Sequence, residues 1–161
     1  MSPTEFWGSN HYEHPPLTDE MLDAAETRLG VKLPPLLVEL LRYQNGGFTK
    51  DFGYPMSVPT SWAEDHVQLE ELFGIVTDTS IRTAQNMIKP AYIEEERGIP
   101  EKQVLLCGDG HWWITLDYRM SENPSVLYLD TEMEESAPIA NSFEEFYAGL
   151  VPIVVFQPEE D

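Results

Sequence analysis

Few side chains in this 161-residue chain have the types and spacing that metal binding requires. His11, Glu13 and His14 carry atoms that zinc accepts as ligands, but they lack the helical spacing of the zinc-protease motif. They also lie in a segment without periodicity. We therefore expect no metal ion here, and the sequence indicates no other cofactor.

The candidates for catalysis are equally sparse. Cys107 is the only cysteine, and it lies in an apolar run without a nearby activating cation, so we expect a buried, unreactive thiol. No gly-x-ser-x-gly motif is present. Asp109 and Asp117 could form an acid and base pair, but among 29 acidic residues some such pair arises by chance. No sequence motif indicates an enzyme. An enzyme that acts on a cationic or sugar substrate is the third of our hypotheses, after the two binding functions given below.

The charge of the chain constrains its partners. Nine basic and 29 acidic residues give a formal net charge of −20, which repels nucleic acids and anionic membranes and attracts basic proteins. Direct nucleic-acid binding is therefore disfavoured. The alternative is that the acidity serves solubility alone.

The length and the N-terminus suggest one cytoplasmic domain. A chain of 161 residues has the usual size of a single domain. Residues 1–10 lack the basic and apolar blocks of a signal peptide, and no apolar run approaches the roughly 20 residues that a membrane span needs. We predict a core over about residues 17–156, an irregular arm at 1–16 and a disordered acidic tail at 157–161.

The elements are organised around three predicted strands in residues 103–132. An apolar run at 104–107 ends at Gly108-Asp109-Gly110, where Asp-Gly predicts a hairpin turn. From 111 to 118 apolar residues alternate with mixed ones, which places Trp113 and Asp117 on the less apolar face. After a turn at 121–124, Val126 to Thr131 forms the third strand.

Helices are predicted from their capping signals. Thr18 begins one that Gly30 ends, Pro34-Pro35 begins a second that ends at residues 45–47, and the Ser142 and Glu145 capping box begins the last. The first two helices should pack as a hairpin. Further strands are predicted at Gly47–Phe52 and at Val67–Val76, the latter with an irregularity at Leu72-Phe73. Ser80–Gly98 is predicted to be a helix that kinks at Pro90 or divides there into two, and an acidic, proline-containing loop follows at 133–140. Val151–Phe156 either extends as a strand or packs across the core.

Three segments together resemble the SUKH superfamily, which includes fungal cell-wall-assembly regulators and bacterial immunity proteins. They are the helical pair over 17–47 with its Gly30 to Pro34 joint, the Gly108-Asp109-Gly110 meander with Trp113 and Asp117, and Ile139 to Phe146. The resemblance covers most of residues 17–150. It implies an α+β domain with a mixed, mostly antiparallel sheet and helices packed largely on one face.

The resemblance also implies a non-enzymatic function. Bacterial members of the superfamily are thought to bind and neutralise secreted toxins, often nucleases. Our leading hypothesis is an immunity protein that blocks a basic toxin, plausibly a nuclease, and the alternative is a regulatory or scaffold protein without a toxin partner. Residues 48–65 match nothing in the superfamily pattern, and such loops commonly determine specificity.

The candidate contact residues are aromatic anchors among carboxylates. Trp113 is the leading anchor, although a buried position in a small second core is equally consistent with its sequence context. The acidic clusters at 70–71, 94–96, 134–135 and 159–161 are either solvated faces or parts of one binding surface. The full set of predicted contact residues is Trp113, Trp62, His111, Asp109, Asp117, Glu70 and Glu71.

Overall fold

Two antiparallel sheets and four helices make up the part of the chain that the computed structural model describes, residues 1–81, 83–88 and 98–157. The expected α+β class is therefore confirmed. The helices are α1 (Pro3–Phe6), α2 (Asp19–Leu29), α3 (Pro35–Tyr43) and α4 (Phe143–Gly149), with a short 3-10 helix at Ile153–Phe156. The strands are β1 (Gly47–Pro55), β2 (His66–Leu72), β3 (Gln103–Gly108), β4 (Trp112–Asp117), β5 (Ser125–Asp130), β6 (Glu135–Ala140) and β7 (Val151–Pro152).

The strands divide between a three-stranded sheet and a four-stranded meander. The first sheet has the order β2-β1-β7, and the second follows the chain as β3-β4-β5-β6. The two sheets meet just after β2, where the amide of Phe73 donates to the carbonyl of Leu106 at 2.7 Å. Instead of the one mixed sheet that we expected, the structure has two sheets whose strand pairings are antiparallel.

The capping residues begin and end the helices where the sequence predicts. The Thr18 hydroxyl accepts from the amide of Met21 at 3.1 Å, and Gly30 ends α2 with a left-handed φ of 72°. The Ser142 hydroxyl accepts from the amide of Glu145, whose carboxylate accepts in turn from the amide of Asn141, one residue earlier than predicted. No helix in the described ranges is long and apolar enough to cross a bilayer.

Polar contacts join helices α2 and α3 at both ends of the pair. Arg42 at the end of α3 forms an ion pair with Asp19 at the start of α2, with 2.6 Å between the guanidinium and the carboxylate. At the joint, the Glu26 carboxylate accepts from the amide of Leu33 at 2.7 Å. The buried residues of the pair are Ala25, Leu37, Leu40 and Leu41.

The prediction of an irregular N-terminal arm is wrong for its first residues. Phe6 of α1 is fully buried between the rings of Phe52 and Tyr147, with ring centroids 5.8 and 5.5 Å away. The indole N–H of Trp7 donates to the carbonyl of Leu40 at 2.9 Å. A four-residue helix is too short to show a hydrophobic period, so its aromatic residues are the only signal of burial.

Residues 135–140, which we predicted to be loop, form the edge strand β6. Pro138 indicated a loop because proline cannot donate to a strand ladder. At the edge of a sheet, the backbone N–H groups that point outward have no strand to bond, so a proline is tolerated there. β6 pairs along β5 with an irregularity at Val126 and Leu127.

The helix predicted for Ser80–Gly98 is absent from residues 83–88. Backbone groups there bond to the segment after β2: the amide of Met87 donates to the carbonyl of Gly74 at 2.8 Å. The side chain of Asn86 also bonds both the amide and the carbonyl of Val76. Residues 82 and 89–97 and the acidic tail at 158–161 lie outside the described residues.

The last predicted strand, Val151–Phe156, is shorter than expected. Its first two residues form β7 beside β1, and the chain then turns into the 3-10 helix.

Asn45, predicted only to stop α3, is a buried link between three segments. Its amide nitrogen donates to the carbonyls of Pro15 and Ile75 at 2.8 and 2.7 Å, and its amide oxygen accepts from the N–H of Ile75 at 2.8 Å. The side chain thus takes the place of a strand partner. Gly74 leaves room for it, since a Cβ at Gly74 would lie 2.2 Å from the carbonyl oxygen of Asn45.

Replacing Asn45 by alanine should lower the free energy of unfolding by about 1–3 kcal/mol, because the buried N–H of Ile75 and the carbonyls of Ile75 and Pro15 lose their hydrogen-bond partner. Chemical denaturation monitored by circular dichroism measures the change. Asn123→Ala is the matched control because Asn123 is exposed, and it should remain within about 0.5 kcal/mol of the parent protein. Equal stabilities for the two variants would contradict this assignment of Asn45.

Candidate functional site

Two tryptophan rings meet where the β1–β2 loop reaches the β4–β5 hairpin. Trp62 of the loop has 44% of its surface exposed, and its ring contacts Trp112 at a centroid distance of 5.4 Å. Trp112 in turn stacks on the ring of the buried Tyr128 at 6.0 Å and 15°. The three rings form a continuous row from the core to the solvent.

The loop that carries Trp62 is fixed to the second sheet by its neighbour Ser61. The Ser61 hydroxyl bonds the phenol of Tyr128 at 2.8 Å and donates to the carboxylate of Asp130 at 2.5 Å. Within the loop, the Thr60 hydroxyl accepts from the amide of Trp62 at 3.2 Å. These bonds give the exposed ring a defined position.

Asp130 lies directly opposite Trp112 in the strand pairing and is only 8% exposed. Burial acts to raise the pKa of Asp130, but hydrogen bonds from Ser61 and from the amide of Met133 outweigh it, and the pKa lies below its usual range. The carboxylate is therefore charged at neutral pH. It forms no ion pair with a lysine or arginine in the described part of the chain.

The β3–β4 turn adds further charged groups beside these rings. The Asp109 carboxylate accepts from the amides of His111 and Trp112 at 2.9 and 3.2 Å, and Gly110 has the positive φ, 104°, that the Asp-Gly turn predicts. The His111 ring lies 3.2 Å from the carboxylate of Glu132. We call this region the Trp62 surface; its residues are Trp62, Trp112, His111, Asp109, Asp130 and Glu132.

Glu70 and Glu71 of β2 extend the negative charge of the Trp62 surface. Glu71 accepts a hydrogen bond from the phenol of Tyr12. Burial raises the pKa of Glu71 above its usual range, and the nearby charges of Glu70 and Asp109 raise it further. Burial also raises the pKa of Tyr128, with contributions from Asp130 and Asp109. Asp109 thus interacts electrostatically with both groups and connects the two acidic regions.

The segments that form this surface contain no basic residue except histidine. Lysine and arginine are absent from 51–81, from 103–118 and from 120–161, so the predicted acidic residues 70, 71 and 109 have no such neighbour in their own strands. The described lysines and arginines belong to α2, the joint between α2 and α3, α3, β1, and the loops that flank β3 and β4. The segments that form the Trp62 surface therefore carry a negative charge that no lysine or arginine of the same segments offsets.

The structure contradicts the prediction that Trp113 is an exposed anchor. Trp113 is 6% exposed, packs edge-on against Phe73 at a centroid distance of 6.4 Å, and lies so close to Gly108 that a Cβ there would be 2.3 Å from its ring. Its indole N–H has no hydrogen-bond partner among the described residues. Four central residues of β4 are buried in succession, so both faces of the strand are covered. The buried alternative is correct for Trp113.

Trp112 is a residue of the Trp62 surface that the sequence analysis missed. Alternation assigned it to the apolar face, which it shares with Ile114 and Leu116, but its position at the end of β4 leaves it half-buried beside the loop. The only signal was its place directly after the turn, where a strand emerges from the core.

Asp117 is not part of the Trp62 surface. It ends β4, five residues from Trp112 and hence roughly 17 Å away along an extended strand. Burial acts to raise the pKa of Asp117, but bonds from Arg119 and Gln103 outweigh it and the pKa is lowered. The ion pair with Arg119, at 2.9 Å, satisfies the charge locally.

The residues weighed for metal binding and nucleophilic chemistry have packing contacts instead. The His11 ring stacks on Phe48 at 4.7 Å, and the buried His14 ring faces the carbonyl of Gln85 at 3.2 Å. Cys107 is buried, and burial raises the pKa of its thiol. Among the residues that the structure describes, no three His, Cys, Asp or Glu side chains are grouped to hold a metal ion.

The chain matches the family model described as the SMI1 / KNR4 family (SUKH-1) over residues 16–149. The matched span includes every element from α2 to α4 and the whole Trp62 surface. The predicted resemblance to the SUKH superfamily is thereby confirmed. No curated protein and no solved structure gives a significant match to the chain.

Replacing Ser61 by alanine should release the Trp62 loop from the second sheet. The variant should lose about 0.5–1.5 kcal/mol of unfolding free energy, because Tyr128 and Asp130 lose a shared hydrogen-bond partner. Amide hydrogen exchange over residues 57–65 should become faster. Ser57→Ala is the control, since Ser57 is exposed in the same loop; identical exchange rates in both variants would contradict the proposed attachment.

Proposed function

Since the chain belongs to the SMI1 / KNR4 family (SUKH-1), we propose that it is a cytoplasmic immunity protein that neutralises a basic toxin by binding it through the Trp62 surface. Membership supports a generic immunity-like or regulatory role, and the family is generally non-catalytic. That the partner is a toxin, and specifically a nuclease, is our proposal.

The observation that carries the proposal is the exposed Trp62 ring resting on the half-buried Trp112 ring, in segments whose sequence contains no lysine or arginine. Rings fixed on a buried support are typical anchors of protein interfaces, because they bury large area at a small loss of conformational entropy. Trp62 and Trp112 have this support from Tyr128 and Ser61.

The surrounding charges favour a basic partner. Within the described residues, Asp109, Asp130, Glu132 and Glu70 form no ion pair with lysine or arginine, and the His111 ring lies 3.2 Å from Glu132. A basic protein would be drawn to this surface by a field that raises its association rate and is screened by salt. A nuclease that binds polyanionic substrate carries a basic surface of the required kind.

Several features support binding as the function instead of catalysis. The pKa of Asp130 is lowered because hydrogen bonds outweigh its burial, and its carboxylate is occupied by structural donors, the Ser61 hydroxyl and the Met133 amide. The thiol of Cys107 is buried away from solvent. These groups therefore fit an interface and offer no accessible nucleophile or paired base.

A regulatory or scaffold role without a toxin is the second candidate, and the family match favours it equally at the general level. The neighbouring gene separates the two candidates. A secreted toxin encoded beside this gene, and growth rescue by this protein when that toxin is expressed, are expected under the immunity proposal. Failure of the two proteins to co-purify at low salt would contradict it.

Reversing charge on the Trp62 surface and on the adjoining Glu70 should slow association with the toxin. The double variant Glu70→Lys and Glu132→Lys should bind at least about tenfold more slowly at low ionic strength, and the difference should shrink as salt is added. Stopped-flow or surface-based kinetics measure the rate, and growth rescue should weaken in parallel.

The matched control changes the same net charge elsewhere. Asp23→Lys and Glu122→Lys replace two exposed carboxylates near the α2–α3 joint, and association should change less than about threefold. If the control slows binding as much as the surface variant, net charge alone drives association and the Trp62 surface is not the interface.

A further inference from the structure

The exposed ring of Trp62 is unusually well supported for a loop residue. It contacts Trp112, which stacks on the fully buried Tyr128, and Ser61 beside it is bonded to Tyr128 and Asp130. A ligand group that stacks on Trp62 therefore need not order the ring first, and little conformational entropy is lost on binding.

The charges around the ring select the kind of group that can stack there. Asp130 is nearly buried, and its hydrogen bonds come from neutral donors, the Ser61 hydroxyl and the Met133 amide. Asp109 and Glu132 add exposed carboxylates close by. An apolar group placed over Trp62 would desolvate these charges without compensation, and an anion would be repelled.

A planar cation satisfies both the ring and the carboxylates. A guanidinium stacks on an indole face through cation–π attraction while its N–H groups donate to carboxylates at the edge. A lysine ammonium is a compact, strongly hydrated charge and gains less from a flat ring. Trp62 and Trp112 contact each other at 46° and do not enclose a space between them, so they do not form a cage for a methylated ammonium.

We propose that Trp62 is the stacking platform for an arginine side chain of the partner protein, with the exposed Asp109 and Glu132 carboxylates of the same surface as acceptors and the buried charge of Asp130 attracting the guanidinium. The proposal rests on the proposed function, since it names the group through which a basic partner binds the same surface. It adds that the surface binds arginine more tightly than lysine, although both side chains carry the same charge.

Two synthetic peptides of equal charge test this selectivity. A tetra-arginine and a tetra-lysine peptide, each amidated and acetylated, are titrated into the full-length protein at two salt concentrations. The indole N–H signals of the four tryptophans are followed by NMR, with Trp62 assigned by its loss in Trp62→Leu. The arginine peptide should bind about three- to thirtyfold more tightly and shift the Trp62 signal most.

Variants separate stacking from general charge attraction. Trp62→Leu should abolish the preference for arginine and leave the affinity for tetra-lysine within twofold, whereas Trp62→Phe should keep part of the preference. Tyr43→Leu is the control, because Tyr43 is an aromatic residue of α3 that is 57% exposed. It should leave the preference unchanged.

The outcomes distinguish this inference from the proposed function. Equal affinity for the two peptides, a preference that survives Trp62→Leu, or no binding of either peptide would overturn the arginine platform. A shift of the Trp62 signal by an oligosaccharide and not by tetra-arginine would also overturn it. If toxin association still depends on Glu70 and Glu132 in those cases, the proposed function stands without the platform; if it does not, both fail.

Discussion

The fold depends on one buried side chain, Asn45, which supplies hydrogen-bond partners to backbone groups of Ile75 and Pro15. Asn45 pairs with both polar groups of Ile75 and with the carbonyl of Pro15, so it holds the end of α3, the N-terminal arm and the segment after β2 together. Buried backbone groups must find partners, and a side-chain amide can satisfy a donor and an acceptor at once. The approach of Gly74 to the Asn45 backbone shows how little space this arrangement leaves.

This junction sets the relative position of the two sheets, and the Trp62 surface forms where they converge. Directly after β2 the chain bonds β3 through Phe73 and Leu106, and two residues later Ile75 bonds the Asn45 side chain. With the first sheet held there, the β1–β2 loop reaches the outer end of β4 and is attached through Ser61. The surface therefore combines residues of a loop with residues of the strands that support the loop.

The sequence predicts those features of the fold that depend on interactions between residues close together in the chain. Caps at Thr18 and Ser142 and the turn at Gly110 follow from hydrogen bonds and backbone angles within a few residues. Contacts between distant segments have no such signal: Ser61 and Asp130 are 69 residues apart. Alternation assigned Trp112 and Trp113 to opposite faces of β4 correctly, but it could not show that both faces are covered, and so the wrong tryptophan was expected at the surface.

The absence of lysine and arginine from the Trp62 surface has a chemical consequence for any complex it forms. Enzymes that acetylate or ubiquitinate amines, and proteases that cleave after basic residues, find no target in the strands and loop that build it. Among the described residues of those strands and that loop, this chain offers no amine or guanidinium to a contact. Footprinting with trypsin or with amine-directed cross-linkers would consequently register only the partner's half of the interface, and carboxyl-directed reagents would be needed to see this half.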